Sequence, residues 1–199
     1  MSTASADKRK DDDPQAQGRK RLRYPVPDLP EDIWHDILSL LPLPDAARAG
    51  CVSRTFLNSW RSHPNLTLSR ETLGLKGNAR GGDKLAQIFT KRVDRIMKKH
   101  SGGVKTFNLS YNYFNSFLDT SYLNRWLEIA VTPGIEEINL SISIGCNAVY
   151  YDFPCSVLFN GSGNSIQHLH LSRCAFHPTV GGTWLLDKAA SVSGAHHWR

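Results

Sequence analysis

The chain has no apolar run near the roughly 18 residues that a membrane-spanning helix needs, and its first 25 positions carry no hydrophobic stretch behind their charges. Neither a membrane span nor a secretory signal is therefore expected, which predicts an intracellular protein. Cysteine is sparse and scattered: Cys51, Cys146, Cys155 and Cys174 form no C-x-x-C pair, so they read as reduced structural thiols and not as a disulfide framework or zinc site. Without secretion, the N-x-[ST] sequons at Asn65, Asn108, Asn139 and Asn160 carry no message. Catalytic signatures are missing too, with no G-x-S-x-G elbow, no H-E-x-x-H and no G-x-G-x-x-G. The string ending Gly82-Asp83-Lys84 lacks the Gly-Lys-[Ser/Thr] and the preceding strand of a phosphate-binding loop. These absences predict a protein that is not an enzyme and holds no cofactor or metal.

What is present is a chain of 199 residues, 40% hydrophobic and 21% charged, enough to bury a core. Half of the formal net charge of +6 lies in residues 1–27. There Lys8, Arg9 and Lys10 precede Arg19, Lys20, Arg21 and Arg23 across a polar spacer. Lacking apolar residues, this segment is expected to be a disordered basic tail, and its two clusters fit a bipartite nuclear-import signal. The expected location is nucleus and cytoplasm. Asp11, Asp12 and Asp13 between the clusters, and the absence of interleaved aromatics, argue against nucleic acid as the tail's ligand.

Residues 28–68 change character. Pro30 suits the first turn of a helix with Glu31 and Asp32 at its positive end, and Pro42 stops it. Pro44 and Asp45 open a second helix that Gly50 can end, and Ser53 can cap a third bearing Phe56, Leu57 and Trp60. In the first helix Ile33, Trp34, Ile37, Leu38, Leu40 and Leu41 cover well over half the circumference, too wide for one packing face. Three short helices in so few residues cannot bury that surface among themselves, so a partner is expected to cover the excess.

A glycine-rich linker over 69–83 leads to residues 84–178. There Leu85, Ile88, Phe89, Val93, Ile96 and Met97 form a helical stripe. Three segments then repeat every 31 residues, reading Val104, Phe107, Leu109, then Ile135, Ile138, Leu140, then Ile166, Leu169, Leu171. They fit the leucine-rich pattern L-x-x-L-x-L-x-x-[NC]-x-L, with Asn112 and Cys174 expected to turn inward where the strand ends and Ser143 degrading the middle copy. A helix carrying Leu123, Trp126, Leu127 and Ala130 is expected behind the strands. The predicted fold is α+β, a three-helix module followed by a short, irregular α/β solenoid. Strand alternation sends Thr106, Asn108 and Ser110, then Glu137, Asn139 and Ser141, then His168, His170 and Ser172 to the open face. Glu137, Asn139, His168 and His170 are its most distinctive groups. His168 and His170 with Cys174 and His177 invite a metal reading, but the register puts Cys174 on the opposite face from the histidines, against tetrahedral convergence.

Leu29-Pro30, Ile37-Leu38, Leu41-Pro42, Asp45, Arg48, Val52-Ser53-Arg54 and Trp60 resemble the F-box motif, and the order of F-box, helix and repeats is similar to that of plant F-box proteins with leucine-rich repeats. The resemblance implies that Leu29, Pro30, Ile33, Ile37, Leu38, Leu41, Pro42, Val52 and Trp60 bind a Skp1-like adaptor, and through it a cullin ubiquitin ligase. It implies that the repeats, with Glu137, Asn139, His168 and His170, bind a target protein. Residues 179–199 depart from that family, showing no repeat spacing, which leaves open a protein that holds the adaptor without delivering a target. A nuclear nucleic-acid binder acting through the basic tail is the remaining alternative.

Overall fold

A computed structural model of the chain describes residues 29–76, 82–113, 119–144, 150–159, 162–177 and 190–193. Three helices come first, α1 (Glu31–Ser39), α2 (Leu43–Ala49) and α3 (Arg54–Arg61). Pro30 stands at the N-cap of α1, Pro44 lies in the first turn of α2 and Gly50 caps its end. The Ser53 hydroxyl accepts the Phe56 N–H at 3.1 Å, satisfying one of the unpaired donors at the start of α3. The rest alternates strands and helices: β1 (Asn65–Leu68), α4 (Gly82–Lys99), β2 (Thr106–Tyr113), α5 (Thr120–Ala130), β3 (Glu137–Ile144), β4 (Tyr151–Phe153), α6 (Ser156–Phe159), β5 (His168–Ser172), β6 (Cys174–Phe176) and β7 (Ala190–Ser193).

The main sheet has the order β1-β2-β3-β5-β7 with every neighbouring pair parallel, and β4 pairs with β6 in a second small sheet. The 31-residue spacing is the register itself: Phe107, Ile138 and Leu169 lie side by side, as do Leu109, Leu140 and Leu171. All six are buried, under Phe89, Val93 and Met97 of α4 and Leu123, Trp126 and Leu127 of α5. The two helices are tied on their outer side by Asp94, which takes Lys98 Nζ at 2.8 Å and the guanidinium of Arg125. Burial pushes the Asp94 carboxyl up, but these two cations outweigh it and hold the group below its ordinary value. Parallel strands need long crossovers, and here the helices occupy one face of the sheet only. Arg173, at φ 58°, makes the corner by which the chain leaves β5 for β6.

Four features differ from the sequence reading. Residues 65–68, taken there with the helical module, form the first strand of the main sheet, with Leu66 and Leu68 beside Phe107 and Leu109. Helix α4 begins at Gly82, two residues inside the expected linker. Asn112 is exposed and its amide donates to the Ser110 hydroxyl at 3.1 Å, because β2 runs on to Tyr113 and alternation buries Tyr111 instead. Residues 190–193, within the segment without repeat spacing, add a strand beside β5, with Leu169 level with Ala190 and Leu171 with Val192. That step is 21 residues and not 31, which hides it from a search for a fixed period.

The helical module is joined to the sheet through His63. It is 1% exposed; its Nδ1 accepts the Asn65 N–H at 3.1 Å, which leaves Nε2 to donate to the Leu41 carbonyl at 3.0 Å. The His100 ring meets the His63 carbonyl at 3.1 Å, and Ser101 N–H donates to Arg61 O at 2.9 Å. Gly102 lies so close to Ser62 that a Cβ would come within 2.6 Å of the serine side chain. One backbone ladder then steps from repeat to repeat: Lys105 donates to Pro64, Glu136 to Lys105 and Gln167 to Glu136, each at 2.8 Å.

The register separates two neighbouring positions. Leu171→Asp places an unpaired charge in the core and is expected to cost more than about 3 kcal/mol, enough to abolish the unfolding transition of a small unit. His168→Ala, on the open face, is expected to stay within roughly 0.5 kcal/mol. Chemical denaturation followed by circular dichroism checks the pair, and equal effects would contradict the register.

Candidate functional site

The excess apolar surface of the first helix resolves into two stripes. Leu29, Ile33, Ile37 and Leu40 follow one another at steps of four, four and three, and are 37%, 41%, 41% and 84% exposed. Trp34 and Leu38 lie on a line about 100° around the helix from Ile33 and Ile37, taking roughly 100° per residue. That second line faces α3: Leu38 is 4% exposed and the Trp34 ring lies 4.8 Å from the ring of Phe56. One line serves the chain's own packing, and the other faces water.

The residues the sequence pattern nominates for a partner therefore divide. Leu29, Pro30, Ile33, Ile37, Pro42 and Val52 are exposed. Leu38 is buried against the module, Leu41 is half-buried with its carbonyl held by His63, and Trp60 packs against the core of the sheet. These three support the surface from behind. Leu40, in the sequence only one of a run of apolar residues, is the most exposed member of the outward stripe; its step of three from Ile37 is the signal that assigns it. His63 carried no periodic signal at all. The basic residues Lys8, Arg9, Lys10, Arg19, Lys20, Arg21 and Arg23 lie outside the described residues.

On the sheet, the face away from α4 and α5 brings together all four nominated residues, with Thr106, Glu137 and His168 in one row and Asn108, Asn139 and His170 in the next. Glu137, Asn139 and His170 are half-buried and His168 is exposed. The Asn139 amide donates to Asn108 Oδ1 at 2.7 Å and to the Glu137 carboxylate. A shallow groove of about 290 Å³ runs across this face between Thr67, Asn108, Ser110, Asn139, Ser141 and His170. Cys174 lies on the other side, buried, and burial pushes its thiol up to about 12. Among the described residues no group of three or more His, Cys, Asp or Glu is placed to hold a metal ion, and no helix is long and apolar enough to cross a membrane.

Two family models match the chain: the F-box domain over residues 26–68, and the At1g61320/AtMIF1 leucine-rich-repeat domain over residues 96–188. Similar proteins come from Arabidopsis thaliana. The F-box protein At3g60790 is 25% identical over 166 residues, 81% of this chain and 30% of that protein. The putative F-box/LRR-repeat protein At3g49150 is 26% identical over 116 residues, 58% of this chain and 18% of that protein. The F-box/LRR-repeat protein At3g58940 is 26% identical over 117 residues, with the same two shares. The chain thus spans less than a third of the length of these relatives. No solved structure matches it significantly.

The two stripes of α1 are separable by mutation. Leu38→Ala is expected to destabilise the folded chain by about 2–4 kcal/mol, as truncations in packed cores do. Ile37→Ala, one residue away on the water-facing line, is expected to change stability by less than about 1 kcal/mol. Urea denaturation of both variants measures the difference, and a larger loss for Ile37→Ala would reverse the assignment of the stripes.

Proposed function

We propose, from the premise that this chain belongs to the plant F-box proteins with leucine-rich repeats, that its helical module docks on a Skp1-like adaptor and its repeat sheet holds a target protein for a cullin-type ubiquitin ligase. Proteins of this family serve in general as adaptors and not as enzymes. The chain's contribution in this reading is positioning: holding a target close to the charged conjugating enzyme raises the effective concentration of its lysines, and the chemistry takes place elsewhere.

The observation that carries the reading is the water-facing set of Leu29, Ile33, Ile37 and Leu40, large apolar side chains of which Ile33 and Ile37 lie on one side of α1 while Leu40 caps its end and Leu29 precedes its N-cap, with Pro30 and Pro42 also exposed. A contiguous apolar stripe left in water costs solubility and marks an interaction surface. The inward line, held by Phe56 and buried at Leu38, fixes the rotation of α1, so the outward line is presented without rearrangement. Preorganisation of this kind reduces the ordering cost of binding.

Calorimetry of the purified full chain with a Skp1-like adaptor tests the reading. The double substitution Leu29→Ala with Pro30→Ala is expected to remove about 3 kcal/mol, a more than hundredfold loss in affinity, while the far-UV circular dichroism stays the same. A chain that is soluble and monomeric alone and shows no affinity for the adaptor, or a double variant that binds as tightly as the parent, would overturn it.

A further inference from the structure

The helix-free face of the sheet has an uneven chemistry. Across β1, β2, β3 and β5 its rows read Asn65, Thr106, Glu137 and His168, then Thr67, Asn108, Asn139 and His170, with Ser110, Ser141 and Ser172 in the row beyond. Amides, hydroxyls and imidazoles fill them, and Glu137 is the single carboxylate; these rows hold no lysine or arginine. Lys105 and Glu136 stand level with each other one position earlier, joined through the backbone. Among the described residues no ion pair reaches Glu137; its bonded neighbour is the neutral amide of Asn139, and His168 stands level with it on β5.

Three kinds of occupant fit this face poorly. An acidic segment would bring its carboxylates to Glu137 with no lysine or arginine in the rows to receive them. An apolar segment would strip water from two rows of amides and hydroxyls without replacing its hydrogen bonds, at a cost for each group left unpaired. A free small molecule needs a cleft that buries most of its surface, whereas the groove here is shallow and open. What fits is a chain segment that brings its own donors and acceptors and one positive charge.

We infer that this face receives an extended, polar target segment with a single lysine or arginine, the cation lying against Glu137 while neighbouring main-chain and hydroxyl or amide groups bond to Asn108, Asn139 and the serine row. The inference rests on the reading of this face as the target surface and adds the chemistry of the target. Glu137 supplies selectivity, and the amide and hydroxyl rows supply most of the contact. Because Glu137 stands among half-buried groups, its attraction is screened less than that of a fully exposed pair.

The test is selection from a displayed library of random 12-residue peptides on the immobilised full chain, followed by affinity measurement of a selected peptide. Peptides rich in Ser, Thr, Asn and Gln with one Lys or Arg are expected to be enriched. Glu137→Gln, which keeps an acceptor for Asn139, is expected to weaken a selected peptide about tenfold, the scale of a partly exposed charge-assisted contact. Glu137→Lys is expected to turn the selection toward Asp and Glu, with the unfolding midpoint unchanged in both variants. Selected peptides that lose binding on Asn139→Leu yet ignore Glu137→Gln would overturn this inference and leave the target face standing. No enrichment, or enrichment insensitive to both substitutions, would overturn the inference and the target face together. Adaptor affinity, measured on the same variants, is expected to be unaffected.

Discussion

Burial of one face of a parallel sheet is the constraint on which the rest of the molecule depends. A strand every 31 residues places Phe107, Ile138 and Leu169 in one line and Leu109, Leu140 and Leu171 in the next. Apolar lines of this kind are stable only when covered, and parallel strands can be connected only by crossovers long enough to do the covering. Helices α4 and α5 lie on that side, tied together at Asp94. Period-two alternation then leaves the other side to Asn, Ser, Thr, His and Glu137. The core and the polar face are consequences of one repeat, read on its odd and even positions.

The same constraint reaches back into the helical module. Because β1 joins the sheet beside β2, the chain leaving α3 is committed to a fixed path, and His63, with both ring nitrogens engaged, links that path to the end of α1 at Leu41. Leu43 and Trp60 pack on the core of the sheet, so the module is continuous with it. Helix α1 therefore has a determined rotation, with Trp34 and Leu38 turned in and Leu29, Ile33, Ile37 and Leu40 turned out. Two surfaces of different character, one apolar and one polar, are held on one body with no extended linker between α3 and β1.

Much of this was legible in the sequence, where a physical period exposed it. The 31-residue register, the stripe of α5 at Leu123, Trp126, Leu127 and Ala130, and the cap at Ser53 all stand where spacing placed them. The nominated residues Glu137, Asn139, His168 and His170 share one face because strand alternation is strict. What escaped had no period to betray it. Residues 65–68 precede their partners by 41 positions and residues 190–193 follow theirs by 21, so neither belongs to the repeat's arithmetic. The repeat pattern ends the strand before Asn112, whereas the aromatic residues Tyr111 and Tyr113 carry the strand on, so Asn112 turns outward and not inward. Leu38 and Leu40 both sit in an apolar run, and only their angular positions, decided by packing against α3, tell support from surface. His63 is invisible in one dimension, since its partners at Leu41 and Asn65 come from separate elements.

The central claim is that α1 offers its outward line to an adaptor while the sheet's polar face stays available for a different ligand. Amide hydrogen exchange on the full chain, alone and with a Skp1-like adaptor, tests it directly, because binding slows local opening wherever it occurs. The account expects added protection over residues 29–41 and in the turn at Val52, with exchange in 106–112, 137–143 and 168–172 unchanged. Protection on those strands, or none on α1, would contradict it.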